Sequence, residues 1–276
     1  MVRPKKHLGQ HFLTDRSIAR RIVQSVQCDP GAYVMEIGPG KGILTEPLLE
    51  KEIRLIPVEL DHESVQYLIR KWPQLDGQLI EGDFLRLDLE QVCPDPIHVI
   101  GNFPYNISSQ IFFKILENRG LVSSVVCMVQ KEVADRITSP PGSREYGILS
   151  VLLGAYFDME RLFTVKPGSF FPPPKVTSGV IRLTRNRTVA LPCDEPLFFR
   201  IVKGVFNQRR KMIRNSIKSI LLNLDGDGEA PGRETGEPEA QENGFELLKR
   251  RPEELGVPDF IELTRWVKSH RSNKLN

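Results

Sequence analysis

Between residues 33 and 130 short β-like runs alternate with amphipathic stretches, and few folds accept that rhythm. The runs are Tyr33 to Ile37, Arg54 to Glu59, Gly77 to Ile80, Ile97 to Ile100 and Val122 to Gln130. Between them Leu44–Glu50, Glu63–Trp72 and Ser109–Glu117 space their apolar residues as helices do. This alternation predicts an α/β protein with a mostly parallel sheet, helices on both faces, and ligands beyond the carboxyl ends of the strands. A helix is expected before the first strand, from Ser17 to Val26, and a further strand at Val180 to Leu183. After Thr184 the β-like runs stop, and Leu197–Leu224 and Phe260–Lys268 read as helices. Two domains are therefore expected, an α/β domain over 1–184 with a basic N-terminal arm and a small helical domain over 185–276.

Charge separates those regions further. The net charge of +3 conceals an acidic stretch at 225–244, with seven acids and one Arg, which leaves +9 on the rest. That stretch, rich in Gly and acid, reads as a disordered loop, and the basic remainder suggests a polyanionic partner. No apolar run reaches the ~20 residues of a membrane span, and none follows the basic start, so a cytoplasmic protein is expected. Cys28, Cys93, Cys127 and Cys193 show no CxxC spacing and read as buried thiols. His98 lies in an apolar run and reads as a satisfied core histidine. His7 and His11 stand four apart but lack a third ligand, so no metal is expected.

The strand ends carry the chemistry. Glu36-Ile37-Gly38-Pro39-Gly40-Lys41-Gly42 follows the first strand and opens a helix, where glycines allow close backbone approach and free N–H groups point outward. The spacing fits neither a phosphate-binding P-loop nor GxGxxG. Glu59 ends the second strand, where a carboxylate can accept both hydroxyls of a ribose. Gly82-Asp83-Phe84 follows the third, where Asp83 could accept from an adenine amine while Phe84 covers the ring. The ligand such a set suits is an adenosine with a tail that is not a phosphate. The fourth strand ends in Asn102-Phe103-Pro104-Tyr105, which presents two oxygen acceptors beside a stacking ring. Together these features read as a methyltransferase that uses S-adenosylmethionine and acts on an amino nitrogen.

With those residues in view, the chain resembles the ribosomal RNA small subunit adenine N6,N6-dimethyltransferase family nearly end to end. The resemblance runs through Lys5 to Leu13, Glu36 to Thr45, Gly101 to Ser108, Gln130 to Ala134, Phe170 to Val176 and Phe206 to Lys211. It implies a Rossmann-like S-adenosylmethionine methyltransferase sheet, with the cofactor held by His11, Leu13, Gly38, Glu59, Asp83 and Asn102. Many relatives carry Asn where His11 stands, and the acidic 225–244 stretch departs from the family pattern.

The resemblance also implies dimethylation of N6 in two adjacent adenosines of a small-subunit ribosomal RNA hairpin, coupled to subunit biogenesis. The partner would be that RNA within a pre-ribosomal particle, and the enzyme a monomer. Catalysis would fall to Asn102 and the Phe103 carbonyl as acceptors for the amine. Tyr105 and Phe170 would sandwich the extruded base, although aromatics of this kind are more often core residues. Residues 203–218 hold six Lys/Arg and no acid. On one continuous helix Phe206, Ile213, Ile217 and Ile220 would share a face, with Arg210, Arg214 and Lys218 as a basic stripe. With Lys5, Lys6, Arg209 and Lys211 these residues are the candidates for RNA-backbone contact. Two alternatives stand beside this reading, a large-subunit RNA adenine methyltransferase and a ribosome-assembly factor whose catalysis is secondary.

Overall fold

A computed structural model describes residues 2, 4, 5, 9–217 and 245–272. The expected disorder at 225–244, and the placements of Lys6, His7 and Lys218, lie outside them. The chain forms two compact units: residues 1–138 with 156–187, and residues 139–155 with 188–276. The 139–155 segment, which the sequence assigns to the α/β domain, therefore clusters with the second unit.

The first unit is built on seven strands: β2 (Tyr33–Ile37), β3 (Arg54–Glu59), β4 (Ile80–Glu81), β5 (Ile97–Asn102), β6 (Val122–Gln130), β7 (Phe157–Val165) and β9 (Ser178–Arg185). Their order across the sheet is β4-β3-β2-β5-β6-β9-β7. The strands β4, β3, β2, β5 and β6 are parallel, and β9 runs antiparallel to both β6 and β7. The chain lays β3 and β4 on one side of β2 and then returns to place β5 on the other. That reversal opens a crevice at the carboxyl ends of β2 and β5. A separate two-stranded pair joins β1 (Phe12–Leu13) to β8 (Phe170–Phe171).

Both sheet faces are covered. Along β2, Val34 belongs to a core with Ala19, Ile22 and Val23 of helix α1 (Arg16–Gln24) and Leu48 of α2 (Thr45–Leu48). Its neighbour Met35 is equally buried and must point to the opposite face, because strand side chains alternate. Helix α1 begins where the Asp15 carboxylate accepts the Ser17 and Ile18 N–H groups at 2.9 and 3.2 Å, an N-cap worth ~1 kcal/mol. Of the other helices in this unit, α3 (His62–Lys71) and α5 (Ser108–Glu117) match expected segments closely, whereas α4 (Leu89–Val92) and α6 (Lys131–Thr138) are not among those segments.

Three readings are corrected. The Gly77–Ile80 run is mostly turn, with only Ile80–Glu81 in the sheet. Strand β7 is absent from the expected runs, because its charged residues Asp158, Glu160 and Arg161 mask the alternation. The single helix expected over 197–224 is broken. In the second unit α7 (Ile148–Gly154) is followed by α8 (Glu195–Phe206), which stops; residues 207–211 turn, and 213–217 restart as helix. Phe198 and Phe206 of α8 pack on Phe260 of the helix Val257–Ser272, and Tyr146 packs on Phe206. No described helix is long and apolar enough to cross a membrane.

One glycine decides how closely β2 and β5 approach. A Cβ on Gly101 would lie 2.6 Å from the Ile37 carbonyl oxygen and 3.0 Å from the Phe103 ring. Gly101→Ala should therefore cost ~1–3 kcal/mol of strain, read as a lowered urea midpoint at unchanged slope.

Candidate active site

The carboxyl ends of β2, β3, β4 and β5 surround a cavity of about 310 Å3, whose walls include Gly38, Glu59, Asp83 and Asn102. The segment at β1 closes another side with Gln10, His11 and Phe12. Gly38 and Gly40 both hold positive φ, at 65° and 58°, and a Cβ on Gly40 would meet the Phe12 ring at 2.8 Å. Only glycine lets the turn fold there with Phe12 pressed against it.

Glu59 is buried and doubly engaged. Its Oε2 accepts the Gly40 N–H at 2.9 Å and its Oε1 accepts the Asp61 N–H at 2.8 Å. Burial pushes its carboxyl above the ordinary range, while those backbone donors pull it back down. Each oxygen keeps capacity for a further donor, such as a ribose hydroxyl. Asp83 is fixed in the same way, with Oδ1 accepting the Leu85 N–H at 3.0 Å, while buried Phe84 lines the wall beside it.

At the end of β5 the Asn102 amide nitrogen donates to the His11 carbonyl at 2.9 Å. That bond fixes the amide nitrogen and leaves Oδ1 as the acceptor of a residue in the cavity wall. Phe103 spends its N–H on the Met128 carbonyl at 3.0 Å and its ring in the core against Phe112, so its own carbonyl is what it can offer the cavity. The Tyr105 hydroxyl meets Ser178 Oγ at 2.6 Å, and its ring stacks on His11 at 5.5 Å between centroids. Burial of Tyr105 raises its phenol pKa.

Other candidates stand elsewhere. Phe170 is 4% exposed and packed in the core with Leu13, its strand partner in the β1–β8 pair, and neither lines the main cavity. Leu13 instead borders a small neighbouring void of about 30 Å3. Lys5, expected to face RNA, turns its ammonium onto Asp61, and that bond raises the Lys5 pKa. Burial pushes the Asp61 carboxyl up, but its bonds from Lys5 and Ser64 outweigh this and hold it below the ordinary range. Arg209 donates to the Ser143 and Arg144 carbonyls at 3.3 and 2.6 Å. Arg210, Lys211 and Arg214 are exposed, but the turn at 207–211 splits them between two segments and replaces the expected stripe. His98 bonds Ser124 Oγ at 2.7 Å, so it is satisfied as expected, but it is half-buried rather than in the core.

Sequence reasoning missed Glu36, although it opens the Gly-rich motif. Glu36 is 1% exposed; Oε2 accepts the Thr45 hydroxyl at 2.7 Å, and Oε1 has no partner. Burial, with the neighbouring Glu59 adding to it, raises its pKa from 4.5 to about 8.

Comparison with known proteins adds a family. The sequence model of the ribosomal RNA adenine dimethylase family matches residues 1–226. Ribosomal RNA small subunit methyltransferase A of Phocaeicola vulgatus is 49% identical over 275 residues, 99% of this chain and 93% of that protein. The protein of that description from Cytophaga hutchinsonii is 47% identical over 270 residues, 96% of this chain and 98% of its own length. Among solved structures, a dimethyladenosine transferase from Plasmodium falciparum shares the fold with a TM-score of 0.73, at 22% identity over 94% of this chain and 98% of that one. The 23S rRNA methyltransferase ErmE follows with a TM-score of 0.64, at 25% identity over 92% of this chain and 99% of that one.

The raised carboxyl of Glu36 gives a pH prediction. The folded protein keeps this proton up to about pH 8, whereas the unfolded chain releases it near 4.5. The Glu36 contribution to stability is therefore complete below pH 4.5 and lost as pH rises toward 8, at up to ~1.4 kcal/mol per pH unit. Glu36→Gln should flatten that slope, so urea midpoints from pH 5 to 8 should favour the variant increasingly with pH.

Proposed function

The chain belongs to the ribosomal RNA adenine dimethylase family, and from that premise we propose that it transfers methyl groups from S-adenosylmethionine to adenine N6 in small-subunit ribosomal RNA. The observation that carries the reading is the Asn102 amide in the cavity wall, whose nitrogen is taken by the His11 carbonyl so that its Oδ1 remains to act as acceptor. With the Phe103 carbonyl it can take both N–H groups of an exocyclic amine. The ErmE match names a large-subunit RNA, but the 49% and 47% identical relatives are small-subunit enzymes.

The residues present fit the cofactor. Glu59 would hold the ribose hydroxyls, Asp83 the adenine amine with Phe84 against the ring, and Gly38 would let the backbone come close; His11 and Asn102 would complete its surroundings, with Leu13 behind them at the neighbouring void. When bound, S-adenosylmethionine supplies an electrophilic methyl carbon. The protein's own task is to overcome the weak nucleophilicity of an amine whose lone pair is delocalised into the ring. Two acceptors on the N–H groups favour a pyramidal nitrogen, each neutral bond contributing ~1 kcal/mol. Pro104 restricts the backbone of Phe103 and so steadies its carbonyl. Tyr105 offers a stacking surface worth ~1–3 kcal/mol to an extruded base. Phe170 would become the second wall only by giving up its core packing beside Leu13. The larger contribution is placement, which can supply roughly 7–11 kcal/mol. No strong base is needed, since the methylated amine is acidic enough to lose its proton to water.

RNA contact is assigned to exposed Arg210, Lys211 and Arg214, with Lys6 and Lys218 as further candidates. Lys5 and Arg209 would join them only by giving up the internal partners described above.

Asn102→Ala should lose methyl transfer to unmethylated small subunits by at least tenfold while retaining most of its S-adenosylmethionine affinity, read by calorimetry beside labelled-methyl incorporation. Equal methylation by the variant at saturating cofactor would refute the assignment. Replacing Arg210, Lys211 and Arg214 together by Ala should weaken RNA binding and reduce the slope of log affinity against log salt by up to ~3, about one for each phosphate no longer neutralised. An unchanged slope would remove these residues from the interface.

A further inference from the structure

We infer that His11 is a positioning residue for the amine site, fixing the plane of Tyr105 and the direction of the Asn102 amide together. The inference rests on the reading of Asn102 to Tyr105 as that site, and adds a role on the substrate side to a residue otherwise counted as a cofactor contact.

His11 reaches three separate stretches of chain. Its backbone carbonyl accepts the Asn102 amide at the end of β5. Its ring stacks on Tyr105 with an interplanar angle of 28°. Its Nδ1 lies 2.8 Å from the carbonyl oxygen of Pro172, just after β8. A carbonyl can only accept, so Nδ1 carries the hydrogen and donates it. The imidazole is thereby tied at one edge to the 170–174 segment while its face lies against Tyr105.

The geometry of Tyr105 shows why that face matters. Its hydroxyl is anchored to Ser178 Oγ, and Ser178 is fully buried. The hydroxyl oxygen lies on the axis about which a tyrosine ring turns. A hydrogen bond there holds the ring's far end but does not resist rotation around that axis, a soft torsion with broad wells. Resistance must come from groups against the face, and the stacked His11 ring is one of them. A stacking platform whose plane is free cannot fix the base above it, and misplacement by about 1 Å can cost a hundredfold in rate. The Asn102 amide depends on the same residue differently. The bond is to backbone and survives any side-chain change, but the carbonyl stays in place because the Pro172 bond and the β1–β8 pair hold the His11 backbone.

The test uses the full chain with unmethylated small ribosomal subunits, measuring kcat and KM for RNA, S-adenosylmethionine affinity by calorimetry, and thermal stability. At saturating S-adenosylmethionine, His11→Ala should lower kcat by about tenfold or more, beyond whatever it loses in cofactor Kd as a cavity-wall residue. His11→Phe, which restores a stacking ring without the Pro172 bond, should recover most of that loss. His11→Leu, which fills the space without a flat ring, should not. An unchanged kcat in His11→Ala overturns the inference, as does a loss confined to cofactor affinity. If His11→Ala does not fold, the Phe and Leu variants decide, and equal kcat in those two refutes the role of the ring. Asn102→Ala in the same assay separates the layers: normal turnover there removes the amine-site reading itself, whereas an inactive Asn102→Ala beside a normal His11→Ala removes only the role of His11.

Discussion

The Glu59 carboxylate holds the cavity end of the sheet together. By taking the Gly40 and Asp61 N–H groups it ties the Gly-rich turn after β2 to the start of α3. Three carboxyl groups, Glu36, Glu59 and Asp61, are buried within this short reach. Each is accommodated differently: Glu59 by backbone donors, Asp61 by Lys5 and Ser64, and Glu36 by remaining protonated with Thr45 as its donor. A buried acid without such a partner would be costly, so the donors around this edge matter to the fold as much as the acids do.

The sheet gives these groups a common address. Parallel strands finish at one edge, so Gly38, Glu59, Asp83 and Asn102 converge although 64 residues separate the first from the last. Convergence of this kind depends on strand order, which the reversal at β2 and β5 sets. The second unit has a different basis, an aromatic cluster of Tyr146, Phe198, Phe206 and Phe260 drawn from both of its chain segments.

Most of the α/β architecture and four walls of the cavity were legible in the sequence, because glycines and acids at strand ends are local signals. What escaped depends on contacts between distant residues. The β1–β8 pair joins Phe12 and Leu13 to residues some 160 positions away, and its two-residue strands carry no periodicity. That register buries Phe170, and no local pattern separates Phe170 from the exposed Phe171 beside it. The long helix failed for a similar reason. Apolar spacing continues past Phe206, but the chain turns there, and Arg209 lies with the carbonyls of residues 143 and 144. Counting charge likewise could not show that Lys5 would be turned onto Asp61.

The 139–155 segment has a consequence for how the chain is made. It belongs to the second unit by its contacts, yet it precedes β7 and β9, which complete the sheet of the first. Neither unit is a continuous stretch of sequence. During synthesis the first unit cannot finish its sheet until part of the second has already emerged, and that part must wait for α8 and the helix Val257–Ser272 before Tyr146 finds its neighbours. A break in the gene at any single point would therefore not separate the two units cleanly. They are inherited, and made, as one piece.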